Sequence, residues 1–143
     1  MYGNLSDTQL VKRSLSPQAI GGNATVDGTG VDCAGYETLQ AIVNAGHINA
    51  GTLTIKLQES SDDASADPYA DIALATTPGL ASTDDDEIFL IDVNLSERER
   101  YIRAVAVDAS GGGAACVGVT FSLARGRHAP PTQENTVVRI GYA

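Results

Sequence analysis

The stretch Thr52-Leu53-Thr54-Ile55-Lys56-Leu57-Gln58 decides the fold class. Leu53, Ile55 and Leu57 alternate with Thr54, Lys56 and Gln58. Successive side chains of an extended chain point to opposite faces, so this period of two describes a strand with one dry face and one wet face. The same period recurs at Ala115, Val117, Val119, Phe121 and Leu123, with Cys116, Gly118, Thr120 and Ser122 opposite. It returns at Leu39, Ala41 and Val43, where Ile42 interrupts the polar face. Glu87–Val93, with Phe89, Ile91 and Val93 on one face, and Arg100–Asp108 read as further strands, and Ala70–Ala75 as a short one. The Gly46–Gly51 connection reads as the turn of an antiparallel hairpin between Tyr36–Asn44 and Thr52–Gln58. Pro78-Gly79 and Ser110–Gly113 mark other turns. No segment holds an apolar period of 3.6 residues, and Ser96–Arg100 has room for one helical turn at most. Seven or eight short strands between turn signals predict an all-β protein, a single β-sandwich or barrel. Several loops are long for a meander, which favours a jelly-roll-like sandwich.

Length and composition narrow the function. A chain of 143 residues with 43% apolar content is long enough for one domain with a real core. No apolar run approaches the roughly 20 residues of a membrane-spanning helix. Residues Met1–Ile20 lack the apolar stretch of a secretory leader, so none is expected. The formal net charge is −9, but it is unevenly spread. Residues 14–124 carry Lys56, Arg98, Arg100 and Arg103 against sixteen acids, a balance of −12. The ends carry Lys12, Arg13, Arg125, Arg127 and Arg139 against Asp7 and Glu134, a balance of +3. An acidic body does not grip nucleic acid, whose binding depends on cations displacing counterions. Mildly basic ends can meet an acidic protein surface.

Residues 1–20 show no clear period, and Pro17 disfavours a helix through Ser16. They read as an extended N-terminal arm, with a short strand around Gln9–Arg13. Residues 21–124 form the body. Residues 125–143 read as an extended C-terminal arm, because Pro130-Pro131 forces extended backbone. That arm carries Val137, Val138, Ile140 and Tyr142, too apolar for a freely solvated tail. It either adds a strand to its own sheet or packs on another chain, and the second option is favoured.

No catalytic constellation stands out, and the chain is not expected to be an enzyme. His47 and His128 are the only histidines and lack a nucleophile at recognisable spacing. Cys33 and Cys116 have no partners at zinc-ligand spacing. They read as two reduced thiols, one disulfide being the alternative, with Cys116 as a small buried side chain on a strand. Asp84-Asp85-Asp86-Glu87 and Asp62-Asp63…Asp67 do not match a calcium-loop spacing and read as solvated loop acids. Neither a metal nor a cofactor is expected. With no Trp, a carbohydrate-binding aromatic platform is poorly supplied.

The run Leu57-Gln58-Glu59-Ser60-Ser61-Asp62-Asp63, followed by Tyr69-Ala70-Asp71-Ile72, resembles small proteins of tailed bacteriophages. Arg100-Tyr101-Ile102-Arg103-Ala104-Val105 and Gly35-Tyr36-Glu37-Thr38-Leu39 fit the same pattern. Over roughly residues 30–124 the chain resembles capsid decoration, or cement, proteins. The resemblance implies a structural virion protein with a jelly-roll-like fold. Such a protein would be made in the host cytoplasm and carried on the outer capsid surface. It would stabilise the shell by bridging neighbouring capsid subunits, as a homotrimer with the major capsid protein as partner. The arms lie outside the resemblance. Their composition makes Lys12, Arg13, Arg125, Arg127, Val138, Arg139, Ile140 and Tyr142 the expected capsid contacts. A tail or baseplate β-sandwich that binds a host-surface receptor or glycan is the alternative.

Overall fold

The computed structural model describes residues 5–49, 51–109, 114–127 and 132. Among the described residues a short helical turn, Leu5–Thr8, leads into nine strands. These are β1 (Gln9–Ile20), β2 (Thr25–Asp27), β3 (Val31–Asp32), β4 (Thr38–Ile48) and β5 (Leu53–Ser60). They continue as β6 (Ala70–Thr76), β7 (Ile88–Asn94), β8 (Tyr101–Asp108) and β9 (Ala115–Ala124). One sheet has the order β1-β9-β4-β7. The other has the order β2-β8-β5-β6, and β3 also pairs with β8. All pairings between strands are antiparallel.

Counting β2 and β3 as one interrupted strand, the pairing is nested. The first strand pairs with the last, the second with the seventh, the third with the sixth and the fourth with the fifth. That is a long hairpin folded back on itself into two facing sheets, the jelly roll expected from the sequence. The core lies between the sheets. Leu39, Ala41 and Val43 from β4 and Val119, Phe121 and Leu123 from β9 face Leu53, Ile55 and Leu57 from β5 and Ile102, Ala104 and Ala106 from β8. Each is essentially inaccessible to water. Burial of each large apolar side chain contributes about 1.5–3 kcal/mol, which is why the period-two runs dictate this arrangement.

Two expectations are corrected. The runs around β4 and β5 do not form a hairpin, because the two strands belong to different sheets. Each has one apolar face, and opposing those faces across the interior buries both. Side-by-side pairing would leave both faces in need of a cover. Residues 9–20 are not a detached arm with only a short strand around Gln9–Arg13. Gln9–Ile20 is built into the sandwich as a twelve-residue strand against β9, burying Leu10, Leu15 and Ile20. The register slips between Arg13 and Leu15 and again between Leu15 and Gln18. These bulges break the alternation that would have announced the strand. The C-terminal segment 128–143, with Val138, Arg139, Ile140 and Tyr142, lies outside the described residues apart from Thr132.

Candidate interaction surface

β1 shows what its pairing does to the basic residues predicted as contacts. Lys12 stands opposite Phe121, on the core side of the strand, and Arg13 stands opposite Thr120, on the outer side. The two cations therefore face different ways. The charge of Lys12 reaches Asp32 on β3 across the open edge of the sandwich. Arg13 is exposed on the outer face of the β1-β9-β4-β7 sheet. Arg125 sits just past β9 in a left-handed conformation, with its guanidinium 3.9 Å from Glu37. The backbone N–H of Arg127 donates to the Gly35 carbonyl at 3.0 Å. The four described residues of the predicted contact set thus form no single patch.

The body's own cations are engaged internally. Arg100 donates to both carboxylate oxygens of Asp32, at 3.0 and 2.7 Å, which holds that carboxyl below its usual pKa. Arg103 donates to Gln58, pairs with Asp27 and stacks 4.2 Å above the Tyr69 ring. Arg98 pairs with Glu59, and Lys56 with Asp71. Burial, then the hydrogen bond to Asp63, pushes the Tyr69 phenol pKa upward.

The acidic loops are organised by their own backbone. Asp62 accepts hydrogen bonds from the N–H groups of Ser65, Ala66 and Asp67. Asp67 accepts from the Ser61 N–H, and the buried Ser60 hydroxyl donates to the Asp67 carbonyl. Asp85 accepts from the Ile48 N–H at 2.7 Å and meets His47 Nδ1 at 2.8 Å. Those bonds, the backbone one first, lower the Asp85 pKa. Among the described residues no group of three or more His, Cys, Asp or Glu is placed to hold a metal ion. Both cysteines are free thiols. Cys33 is buried and its pKa is pushed up to about 12, mainly by desolvation. Cys116 is exposed rather than buried, because the alternation of β9 turns it away from the core.

The outer face of the β1-β9-β4-β7 sheet has two contrasting regions. One end is a polar groove of about 930 Å³ lined by Gln40, Asp92, Asn94 and Ser122, with Glu37 and Arg125 at its margin. Gln40 donates to Asp92 across it at 2.9 Å. The other region is apolar. Ile42 of β4 stands directly opposite Leu90 of β7, and Ile88 opposite Asn44. Ile88 is 62% and Leu90 56% exposed. The period of two places Phe89, Ile91 and Val93 on the core face, which leaves Ile88 and Leu90 on the outer one. The unbroken run Ile88-Phe89-Leu90-Ile91 was the available signal, since a strand covered on one face only should alternate.

The architecture defines an eight-position jelly-roll sandwich with an exposed apolar edge strand. No family model and no curated protein matches the sequence. Solved structures do match in fold. The PBSX exported protein XepA aligns with a TM-score of 0.58 at 18% identity, covering 100% of this chain and 46% of XepA. This chain therefore spans less than half the length of XepA. The SPBc2 prophage-derived protein YomS aligns with a TM-score of 0.50 at 10% identity, covering 80% of this chain and 91% of YomS. At such identities the likeness is one of fold.

Proposed function

We propose that the chain is a structural protein of a phage or prophage particle that binds the outside of the capsid and bridges neighbouring capsid subunits. The observation that carries this reading is the fold match over the whole chain to a PBSX exported protein, accompanied by a match to a prophage-derived one. The chemistry of the body supports it. Its basic side chains Lys56, Arg98, Arg100 and Arg103 are held by internal pairs, while Ile88 and Leu90 of an edge strand stand exposed. Such a body works by contact rather than by turnover, so its partners are the major capsid protein and further copies of itself, in a homotrimer. Several weak contacts on one particle reinforce one another through high local concentration. The test is cosedimentation of the full chain, and of a chain lacking Arg125–Ala143, with capsids. The full chain should pellet with capsids and the shortened chain should remain soluble, folded and unbound. Equal pelleting of both would remove the C-terminal arm from the mechanism, and pelleting of neither would overturn the reading.

The polar groove favours a second reading, a tail or baseplate module that binds a host-surface glycan. Its amide, hydroxyl and carboxylate lining is suited to sugar hydroxyls. Saturable oligosaccharide binding that Gln40→Ala and Asp92→Ala abolish would select this reading over the first.

A further inference from the structure

β7 is the last strand of its sheet, and among the described residues it pairs only with β4. Among the described residues no strand pairs with its other edge, and an unpaired edge is the usual template for an added strand. Both of its faces carry apolar residues at the Ile88–Ile91 end. Phe89, Ile91 and Val93 turn to the core, while Ile88 and Leu90 stand out on the exposed face next to Ile42. Beside this edge, β6 carries a bulge. Its register against β5 jumps from Lys56↔Thr76 to Gln58↔Asp71. The bulge holds Leu74 in a left-handed conformation, φ 65°, with 97% of its surface exposed. A non-glycine residue with an apolar side chain rarely adopts this conformation without compensation elsewhere. Leu74, Ile72, Val93 and Asp92 line a cleft of about 270 Å³ between the two strand edges, with room for a large side chain. Bulge and bare edge thus point to the same missing neighbour.

We infer that this edge takes up residues 133–143 of a second copy of the chain as an added strand. This deepens the reading above, because it rests on self-association and specifies the contact. Three features select that segment. Val138, Ile140 and Tyr142 are two residues apart, so in an extended chain they share one face, with the same spacing as Ile88 and Leu90 on β7. Arg139 alternates to the opposite face of such a strand, the side on which the exposed acid Glu87 stands just before β7. Residues 128–143 can extend about 50 Å, whereas a four-stranded sheet is only about 19 Å across. The segment can therefore reach a neighbouring body. A contact that joins the tail of one copy to the edge of the next is head-to-tail and closes into a ring when the rotation permits, as a trimer requires.

Disulfide trapping in the full chain tests the inference. In a Cys116→Ser background, chains carrying Ile140→Cys are mixed with chains carrying Leu90→Cys and oxidised mildly. The expected product is a covalent pair of the two different chains, formed at least tenfold more than with Lys56→Cys, which lies on the other sheet. Ile88→Cys serves as a second acceptor if Leu90→Cys does not fold. Equal trapping at Lys56→Cys, or no trapping at either acceptor, overturns the inference. So does a double variant, Leu90→Cys with Ile140→Cys, that closes within single chains at high dilution. Light scattering supplies an independent measure. Leu90→Arg should reduce the mass to that of one chain while leaving the circular dichroism unchanged, and an oligomer that persists overturns the contact. Capsid cosedimentation is read separately, so loss of this contact and loss of capsid binding are distinguishable.

Discussion

Ser14 is a buried polar residue at the margin of an apolar core, and its hydroxyl satisfies two backbone groups at once. It accepts from the Ala104 N–H at 2.8 Å and donates to the Thr29 carbonyl at 3.0 Å. It thereby ties β1 of one sheet to β8 of the other. Ser14→Ala leaves a buried N–H without its acceptor, so we expect a loss of about 1–3 kcal/mol in urea unfolding. A change below a few tenths would show that water takes over the bond. The carboxylates give a pH dependence of definite sign. Asp32, Asp67, Asp71 and Asp85 all have lowered folded-state pKa values, from hydrogen bonds to Arg100, Ser61, Lys56 and Ile48 respectively. Their contribution is complete above the unfolded carboxylate value near ~4 and is lost as pH falls through the lower folded values. Glu99 is shifted up, by desolvation and then by Asp67, and acts in the opposite sense. With four groups against one, the urea midpoint should be flat from about pH 7 to 5 and fall below about pH 4. A midpoint that rises on acidification would contradict this assignment. None of these partners was legible in the sequence, because Ser14 and Ala104, or Asp85 and Ile48, meet only through tertiary folding.

At the scale of elements, legibility followed regularity. β5 and β9 keep strict alternation over most of their length, and the sequence located both. β1 buries Leu10, Leu15 and Ile20, but its first bulge moves Leu15 out of phase with Leu10 and its second shifts the phase again before Ile20. It consequently resembled an arm. Deleting residues 9–20 discriminates sharply. Removal of an arm would leave the melting transition intact. Removal of β1 uncovers β9 along its edge and takes Leu10, Leu15 and Ile20 out of the core. We expect a thermal melt without a cooperative transition, and an unchanged transition would restore the arm. Where β1 crosses β9, Gly118 packs under Pro17, and a Cβ there would lie 2.9 Å from Pro17 Cγ. Gly118→Val should therefore destabilise by about 1–3 kcal/mol, measured by chemical denaturation. Gly118 was visible in the sequence only as one of the small residues on the face away from the core. The apolar half of the candidate surface breaks the same regularity. The core face of β7 obeys the period, whereas Ile88 and Leu90 put apolar side chains where the period expects polar ones.

For the molecule as a whole, the fold class could be read from period and turns, whereas the assignment of strands to sheets could not. β4 and β5 are adjacent in sequence and joined by a glycine-containing connection, which are the attributes of a hairpin. Only the need to cover two apolar faces with each other places them in opposite sheets. Charge was legible in sum but not in position. Lys12 and Arg13 are neighbours in the chain and yet face opposite sides of β1. The four basic residues of the body are each held by internal partners. The body's own cations therefore add little free positive charge to the recognition of partners. Raising salt from about 0.05 to 0.5 M screens exposed charges strongly, yet it should weaken self-association less than twofold, as measured by light scattering. A tenfold loss would assign the contact to charge instead of apolar burial.

The nested pairing also governs the order in which the chain can fold. β5 and β6 are close in sequence and can meet early, but Gln9 finds Ala124 only after the intervening hundred-odd residues have been synthesised. Closing so large a loop is slow compared with local contact formation. During that interval on the ribosome, β1 waits without a partner, while the Ile88–Ile91 run has already emerged. Refolding at rising protein concentration should consequently lose yield to aggregation, and Leu90→Arg should recover it. The strand that recruits a neighbour in the finished assembly is then also the segment most exposed to wrong partners while the protein is being made.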